Sequence, residues 1–168
     1  EIVFGDWSSD VCSSDLSSKK AAYNKTEIAR LGKNLQTIAS GSLDIDIDVS
    51  KPDKYTQNDY NNFINIYENL GVVQSAIQSL INDATMLARA AVEGKLDTRA
   101  DVTKHQGEFR AIVEGVNKTL DSVIGPLNVA AEYVDRISKG DIPPKITDTY
   151  HGDFNEIKNN LNQCIDSL

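Results

Sequence analysis

Apolar residues recur at 3-4-3 spacing ahead of three glycines, and no other feature narrows the possible fold as much. Thirteen, ten, six and three residues before Gly41 stand Ile28, Leu31, Leu35 and Ile38. The same offsets from Gly94 give Ile81, Ala84, Ala88 and Ala91, and from Gly140 give Leu127, Ala130, Val134 and Ile137. All are apolar, at the a and d positions of a coiled coil, where a narrow stripe of each helix is buried against other helices. A further apolar residue, Leu43, Leu96 or Ile142, comes two positions after each glycine. Three registers in one phase define a repeat. The glycine sits where a helix ends most easily, in a left-handed C-cap.

After each glycine the helical pattern pauses for roughly twelve to seventeen residues. It resumes behind an acid–aromatic pair: Asp59-Tyr60, Glu108-Phe109 and Asp153-Phe154. An acid there suits the positive end of a helix dipole, and Asp153 with Glu156 has capping-box spacing. The stripe continues through Tyr60, Phe63, Tyr67 and Leu70, through Phe109, Ile112, Val116 and Leu120, and through Phe154, Ile157, Leu161 and Ile165. An antiparallel helical hairpin needs only about two to five loop residues. A first helix of about fourteen residues is roughly 21 Å long, and a dozen extended residues reach up to about 40 Å. The pause can therefore run back along the first helix, so that the second starts beside its beginning and lies parallel to it. Connector residues Leu43 and Ile47, Leu96 and Ala100, and Ile142 and Ile146 are expected to pin it.

No loop separates one unit from the next. From Tyr60 the stripe runs through Phe63, Tyr67, Leu70, Gln74 and Ile77 to Ile81, three unbroken heptads. From Phe109 to Leu127 the distance is two heptads plus four, a stutter that locally unwinds a supercoil. Gly125-Pro126 falls there and invites a kink. These are either irregularities in a rod or junctions that couple neighbouring bundles.

Helix, Gly-[Ser/Lys/Asp]-[Leu/Ile], extended connector, [Asp/Glu]-[Phe/Tyr]-x-x-[Ile/Phe], helix: this order resembles the HAMP domain, the parallel signal-relay module of bacterial and archaeal sensor proteins. The resemblance covers residues 25–168 and is strongest in the third copy, which opens with Pro126-Leu127. The first copy departs from it, with a longer connector, Pro52, and no glycine before Asp59. The resemblance implies a homodimer forming a parallel four-helix coiled coil without catalysis of its own.

Residues 6–16, DWSSDVCSSDL, resemble the translation of a sequencing-library adapter, and EIVFG before them fits its index segment. Residues 1–16 are therefore expected to be an unstructured scar, outside the fold. On that expectation the natural start of the chain is missing, and any upstream membrane segment with it. The net charge of −8 drops to −4, seventeen basic residues against twenty-one acidic, once Glu1, Asp6, Asp10 and Asp15 are set aside. Cys164 then stands alone, too few thiols for a disulfide or a thiolate metal site. Scattered lysines and arginines in an acidic chain argue against nucleic-acid binding, and no apolar run is long enough for a membrane helix.

Several tempting sites fail on their spacing. Residues 44–55, DIDIDVSKPDKY, begin like a calcium loop but carry Val49 and Tyr55 where glycine and glutamate are required. Leu43, Ile45 and Ile47 instead alternate with aspartates, as in an extended strand-like connector. His105 and His151 lack metal-ligand or phosphoacceptor surroundings and read as polar turn residues, with a pH-sensing role left open. Asn61, Asn62, Asn65, Asn159, Asn160 and Asn162 read as solvated helix faces. No cofactor, metal or small-molecule site is expected.

The sequence thus predicts an all-α chain of tandem HAMP-like units at 17–77, 78–124 and 125–168, with parallel helices, extended connectors and long helices continuous between units. Gly41, Leu43, Gly94, Leu96, Glu108, Pro126, Gly140, Ile142 and Asp153 form its connector and switch positions. The expected setting is the cytoplasmic part of a membrane receptor, between an upstream sensor and transmembrane segment and a downstream output domain. The parent is a chemotaxis transducer first and a sensor histidine kinase second, and a passive coiled-coil spacer is the third reading.

Overall fold

Four long helices and one short 3-10 turn make up the chain in a computed structural model, which describes residues 7–168, with side-chain surroundings from residue 14 onward. The helices are α1 Trp7–Ala39, α2 Gln57–Val92, α3 Gly107–Ser138 and α4 Asp153–Asp166; the turn spans Val102–Lys104. No strand occurs among the described residues, so the chain is all-α. The connectors are extended but unpaired with any other strand. Helices α2 and α3 pass without interruption from one repeat into the next, and α3 continues through Pro126.

Helix α1 begins at Trp7, so it includes residues 7–16, which the sequence suggests are unstructured. The stretch from Trp7 to Leu31 holds neither glycine nor proline, and a helix once nucleated extends through such residues. Residues 1–6 lie outside the described part.

Each first helix ends in the same hydrogen-bonded motif. The glycine N–H donates three residues back, Gly41 to Ile38, Gly94 to Ala91 and Gly140 to Ile137, at 2.9–3.1 Å. The next N–H donates five back, Ser42 to Thr37, Lys95 to Ala90 and Asp141 to Arg136, at 2.8–3.1 Å. This is the Schellman arrangement, which satisfies carbonyls that a helix end leaves open. It needs a left-handed residue, and Gly41, Gly94 and Gly140 have φ of 87°, 73° and 78°.

The chain divides into two compact units, one ending at Ile81 and one beginning at Asn82, with the boundary inside α2. In the first unit α1 and α2 run parallel. Asn24 meets Asp59 at 3.4 Å, and further along both helices the Tyr67 hydroxyl donates to the Glu27 carbonyl at 3.1 Å. Phe63, Tyr67 and Leu70 form the buried core, packed by Tyr23, Leu31 and Ile38 from α1 and by Ile45 and Val49 from the connector. The connector runs antiparallel to α1, with Asp46 beside Asn34 and Ser50 beside Glu27.

In the second unit the connector after α2 returns until His105 meets Asp83, and α3 starts there. Along α3, Asn117 faces Ala100 and Asp121 faces Arg99, so connector and α3 run in opposite directions. The connector between α3 and α4 repeats this, with Asn162 facing Ile146 and Asp166 facing Lys145. Pro126, Val129 and Ala130 of α3 line a small apolar cavity with Phe154, Ile157 and Leu161 of α4.

Candidate functional site: connector latches and an open apolar stripe

An extended strand without a neighbouring strand leaves N–H and C=O groups in search of partners. One asparagine answers for the middle of each connector, because an amide side chain offers a donor and an acceptor in the geometry of a peptide group. Asn117 Nδ2 donates to the Ala100 carbonyl at 2.8 Å while Ala100 N–H donates to Asn117 Oδ1 at 3.0 Å. Asn162 does the same to Ile146 at 3.0 and 2.8 Å, and Asn34 to Asp46 at 2.6 and 3.0 Å. Ala100 and Ile146 are buried. Each amide pair contributes about 2 kcal/mol, at about 1 kcal/mol per hydrogen bond.

Around the first connector, α1 adds further fastenings. Glu27, fully buried, accepts from Ser50 N–H at 3.1 Å, and the Tyr23 hydroxyl donates to the Ser50 carbonyl at 2.7 Å. Arg30 bonds Ser50 Oγ at 3.2 Å and lies 3.5 Å from Asp46 and 3.7 Å from Glu27. Burial first, and the nearby Glu27 carboxylate second, push the Tyr23 and Tyr67 hydroxyls above the ordinary tyrosine value.

Two aspartates order the ends of connectors. Asp53 Oδ1 accepts from Tyr55 N–H at 2.8 Å and from the N–H and hydroxyl of Thr56 at 3.0 Å, just before α2. The Tyr55 bond chiefly, with those from Thr56, holds its carboxyl below the usual range. Asp101 caps the 3-10 turn by accepting from the Thr103 hydroxyl at 2.7 Å and its N–H at 3.0 Å, and these bonds lower its carboxyl likewise.

Several sequence expectations need correction. His105 is not a polar turn residue: it is buried, with Nε2 2.6 Å from Asp83 Oδ2, because the returning connector carries it back against α2. His151 is exposed, as expected. Asn162 is half-buried and latched rather than solvated, whereas Asn61, Asn62, Asn65, Asn159 and Asn160 are exposed. Leu96, Ile142 and Ile47 do not pin their connectors: they are exposed, the first two because the chain is still turning out of the Schellman motif. Ala100, Pro143 and Ile146 are the buried anchors in the second unit, and Ile45 and Val49 pack in the first. Asp153 and Glu156 do not form a capping box. Gly152, at φ 56°, takes the N-cap position, which puts Asp153 inside the helix with no side-chain cap bond. A signal for the latches was present in the sequence: asparagine eight and aspartate twelve residues after the aromatic, at Phe109, Asn117, Asp121 and again at Phe154, Asn162, Asp166.

The stripe itself splits between two faces. Phe63, Tyr67 and Leu70 are buried, and Leu31, Ile38, Tyr60, Ile137, Phe154, Ile157 and Leu161 are half-buried. Ile28, Leu35, Ile81, Ala84, Ala88, Ala91, Phe109, Ile112, Val116, Leu127 and Val134 are exposed. On α3 the exposed residues keep heptad spacing while Val113 and Ile124 beside them are buried, so the helix has one apolar face turned inward and another open.

The described residues thus form helix pairs tied by returning connectors, with an apolar stripe left open. A family model described as HAMP domain matches residues 104–168. A HAMP domain is therefore present in α3, the connector after it and α4. HAMP domains are signal-relay linkers of receptors, typically dimeric, and carry no catalysis. Among the described residues no helix is long and apolar enough to cross a membrane.

Proposed function

We propose that the chain is a relay of three tandem HAMP units, at residues 17–77, 78–124 and 125–168, in the cytoplasmic part of a transmembrane chemoreceptor. It forms a parallel homodimer and passes conformational change from an upstream sensor to a downstream output domain. The observation that carries this reading is the threefold recurrence of helix, Schellman glycine, returning connector and parallel helix around an apolar stripe left open on each helix pair. Closing that stripe against a twin chain completes four-helix layers and removes large apolar side chains from water, at about 25 cal/mol per Å² buried. The working unit binds no cofactor, nucleic acid or small-molecule substrate.

Introducing Val134→Cys into a chain with both native cysteines replaced by serine tests the assembly. Position 134 is exposed on α3 and faces its twin in a parallel dimer. Mild oxidation then gives a cross-linked dimer, while Glu132→Cys on the polar face gives little. Cross-linking at 132 but not 134, or at neither, overturns the reading. The sequence beyond Leu168 separates the parents. A long methylatable helical hairpin selects a chemoreceptor, and a phosphoacceptor helix with an ATP-binding domain selects a histidine kinase.

A further inference from the structure

The geometry points to a difference among the three segments that their shared spacing conceals: each connector is hydrogen-bonded to a different carrier. Past the contacts each makes beside its glycine, the first is fastened to the helix before it, the third to the helix after it, and the second to both.

In the first segment, Tyr23, Glu27, Arg30 and Asn34 of α1 all bond the connector between Asp46 and Ser50. Helix α2 adds Gln74, which donates to the Leu43 carbonyl at 2.7 Å, near the glycine. The α2 positions equivalent to the later latch residues are Glu68 and Val72, eight and twelve after Tyr60. Glutamate has no donor for a carbonyl, and the connector presents Asp46 where the other two carry Arg99 and Lys145. A groove of about 530 Å³, lined by Ile47, Ile64, Tyr67, Glu68, Gly71 and Val72 among others, stands open where a latch would close.

In the third segment the carriers are reversed. Asn162 clasps Ile146, Asp166 pairs with Lys145 at 2.7 Å, and Lys158 Nζ donates to the Asp148 carbonyl at 3.3 Å, all from α4. On the α3 side, Arg136 pairs with Asp141, the residue directly after Gly140. The Ile146 side chain lies in the apolar cavity between α3 and α4, but such contacts are non-directional and fix no register.

The second segment has both fastenings. Asn117 and Asp121 of α3 hold Ala100 and Arg99, and Asp83 of α2 holds His105, whose side chain is 2% exposed. His105 and Asp83 stand eleven residues after and before Gly94. The same offsets from Gly140 are His151 and Val129, and from Gly41 are Pro52 and Arg30, so neither neighbouring segment can form this tie. The middle connector is thus a cross-strap, whereas the middle of each outer connector is latched to one helix. The bearing of this difference on relay rests on the proposed function; the fastening itself does not.

Native-state hydrogen exchange on the intact chain tests the assignment. Asn162→Ala and the near-isosteric Asn162→Leu lower protection of the Ile146 amide by about tenfold or more, the loss of two hydrogen bonds, while α3 and α4 stay protected. Asn34→Leu does the same for the Asp46 amide. Asn117→Leu frees Ala100 but leaves the His105 amide protected, and His105→Leu frees the end of the connector but leaves Ala100 protected. Glu68→Asn adds protection to the first connector near Ile47. The assignment is overturned if the Ile146 or Asp46 amide keeps its protection, if losses spread evenly through α3 and α4, or if Asn117→Leu alone releases the whole second connector. A failed Val134 cross-link leaves these outcomes unchanged, so the two ideas fall separately.

Discussion

Replacing Gly140 by alanine places a Cβ on a residue with φ of 78°, although nothing lies within 4 Å of where that Cβ would sit. The penalty is therefore conformational, about 1–2 kcal/mol, and urea unfolding of Gly140→Ala should show it with an unchanged denaturant slope. Gly94→Ala should behave alike, since both glycines end helices in the same motif. At Asp53 and Asp101 the prediction concerns acid. Their folded-state carboxyls are held below the ordinary value by hydrogen bonds from the neighbouring turns. The stabilisation they give is complete above the unfolded-state value and disappears as pH falls through the folded one. Thermal melts should therefore lose stability as pH drops below the ordinary carboxylate range, and the Asp53→Asn, Asp101→Asn double variant should lose less across the same interval. A double variant with the parent's pH slope would contradict this.

Among the elements, α2 carries the first unit's core. Leu70→Ala removes a buried side chain between α1 and α2 and should cost about 2–4 kcal/mol, since large-to-small changes leave a partly uncollapsed cavity. Tyr67→Phe keeps the ring and loses only the hydroxyl bonded to the Glu27 carbonyl, so its cost should stay near 1 kcal/mol. Guanidinium melts followed at the far-ultraviolet helix signal separate the two. In α3, Pro126→Ala restores an N–H to a helix that continues through this position, and hydrogen exchange around Ser122–Ala130 should slow. These elements were the legible part of the chain. Apolar spacing and three glycines locate the end of every first helix, and connector length alone implies parallel helices. The latches were missed because an asparagine on a helix does not say what lies across from it; only its repeated spacing from Phe109 and Phe154 marked it. His105 was hidden for a similar reason. Its partner, Asp83, is twenty-two residues earlier, and only the returning connector brings the two together. Helix α1 outran its expected start because helix extension responds to local backbone preference, whatever the origin of the residues.

For the whole molecule, the balance of exposed and buried side chains decides what a single chain can be. Among the described residues, more large apolar side chains lie exposed than buried, and on α3 they keep heptad spacing on either side of the stutter. On the proposed assembly, Phe109→Glu together with Val116→Glu should shift the chain from dimer to monomer in sedimentation at micromolar concentration, because like charges would meet across the open stripe. The Asn117 and Asn162 latches, made within one chain, should persist in that monomer. A double variant that remains dimeric would place the contact elsewhere. The continuity of α2 and α3 has a further consequence for how such a chain can be lengthened or shortened. Because each of these helices closes one repeat and opens the next, no neutral seam exists at which a repeat can be spliced in or out. Exchange between relatives must cut within a helix and preserve its rotational phase, so viable chimeras should cluster at joins that keep the stripe in line and be scarce at the connectors, where most modular proteins tolerate recombination best.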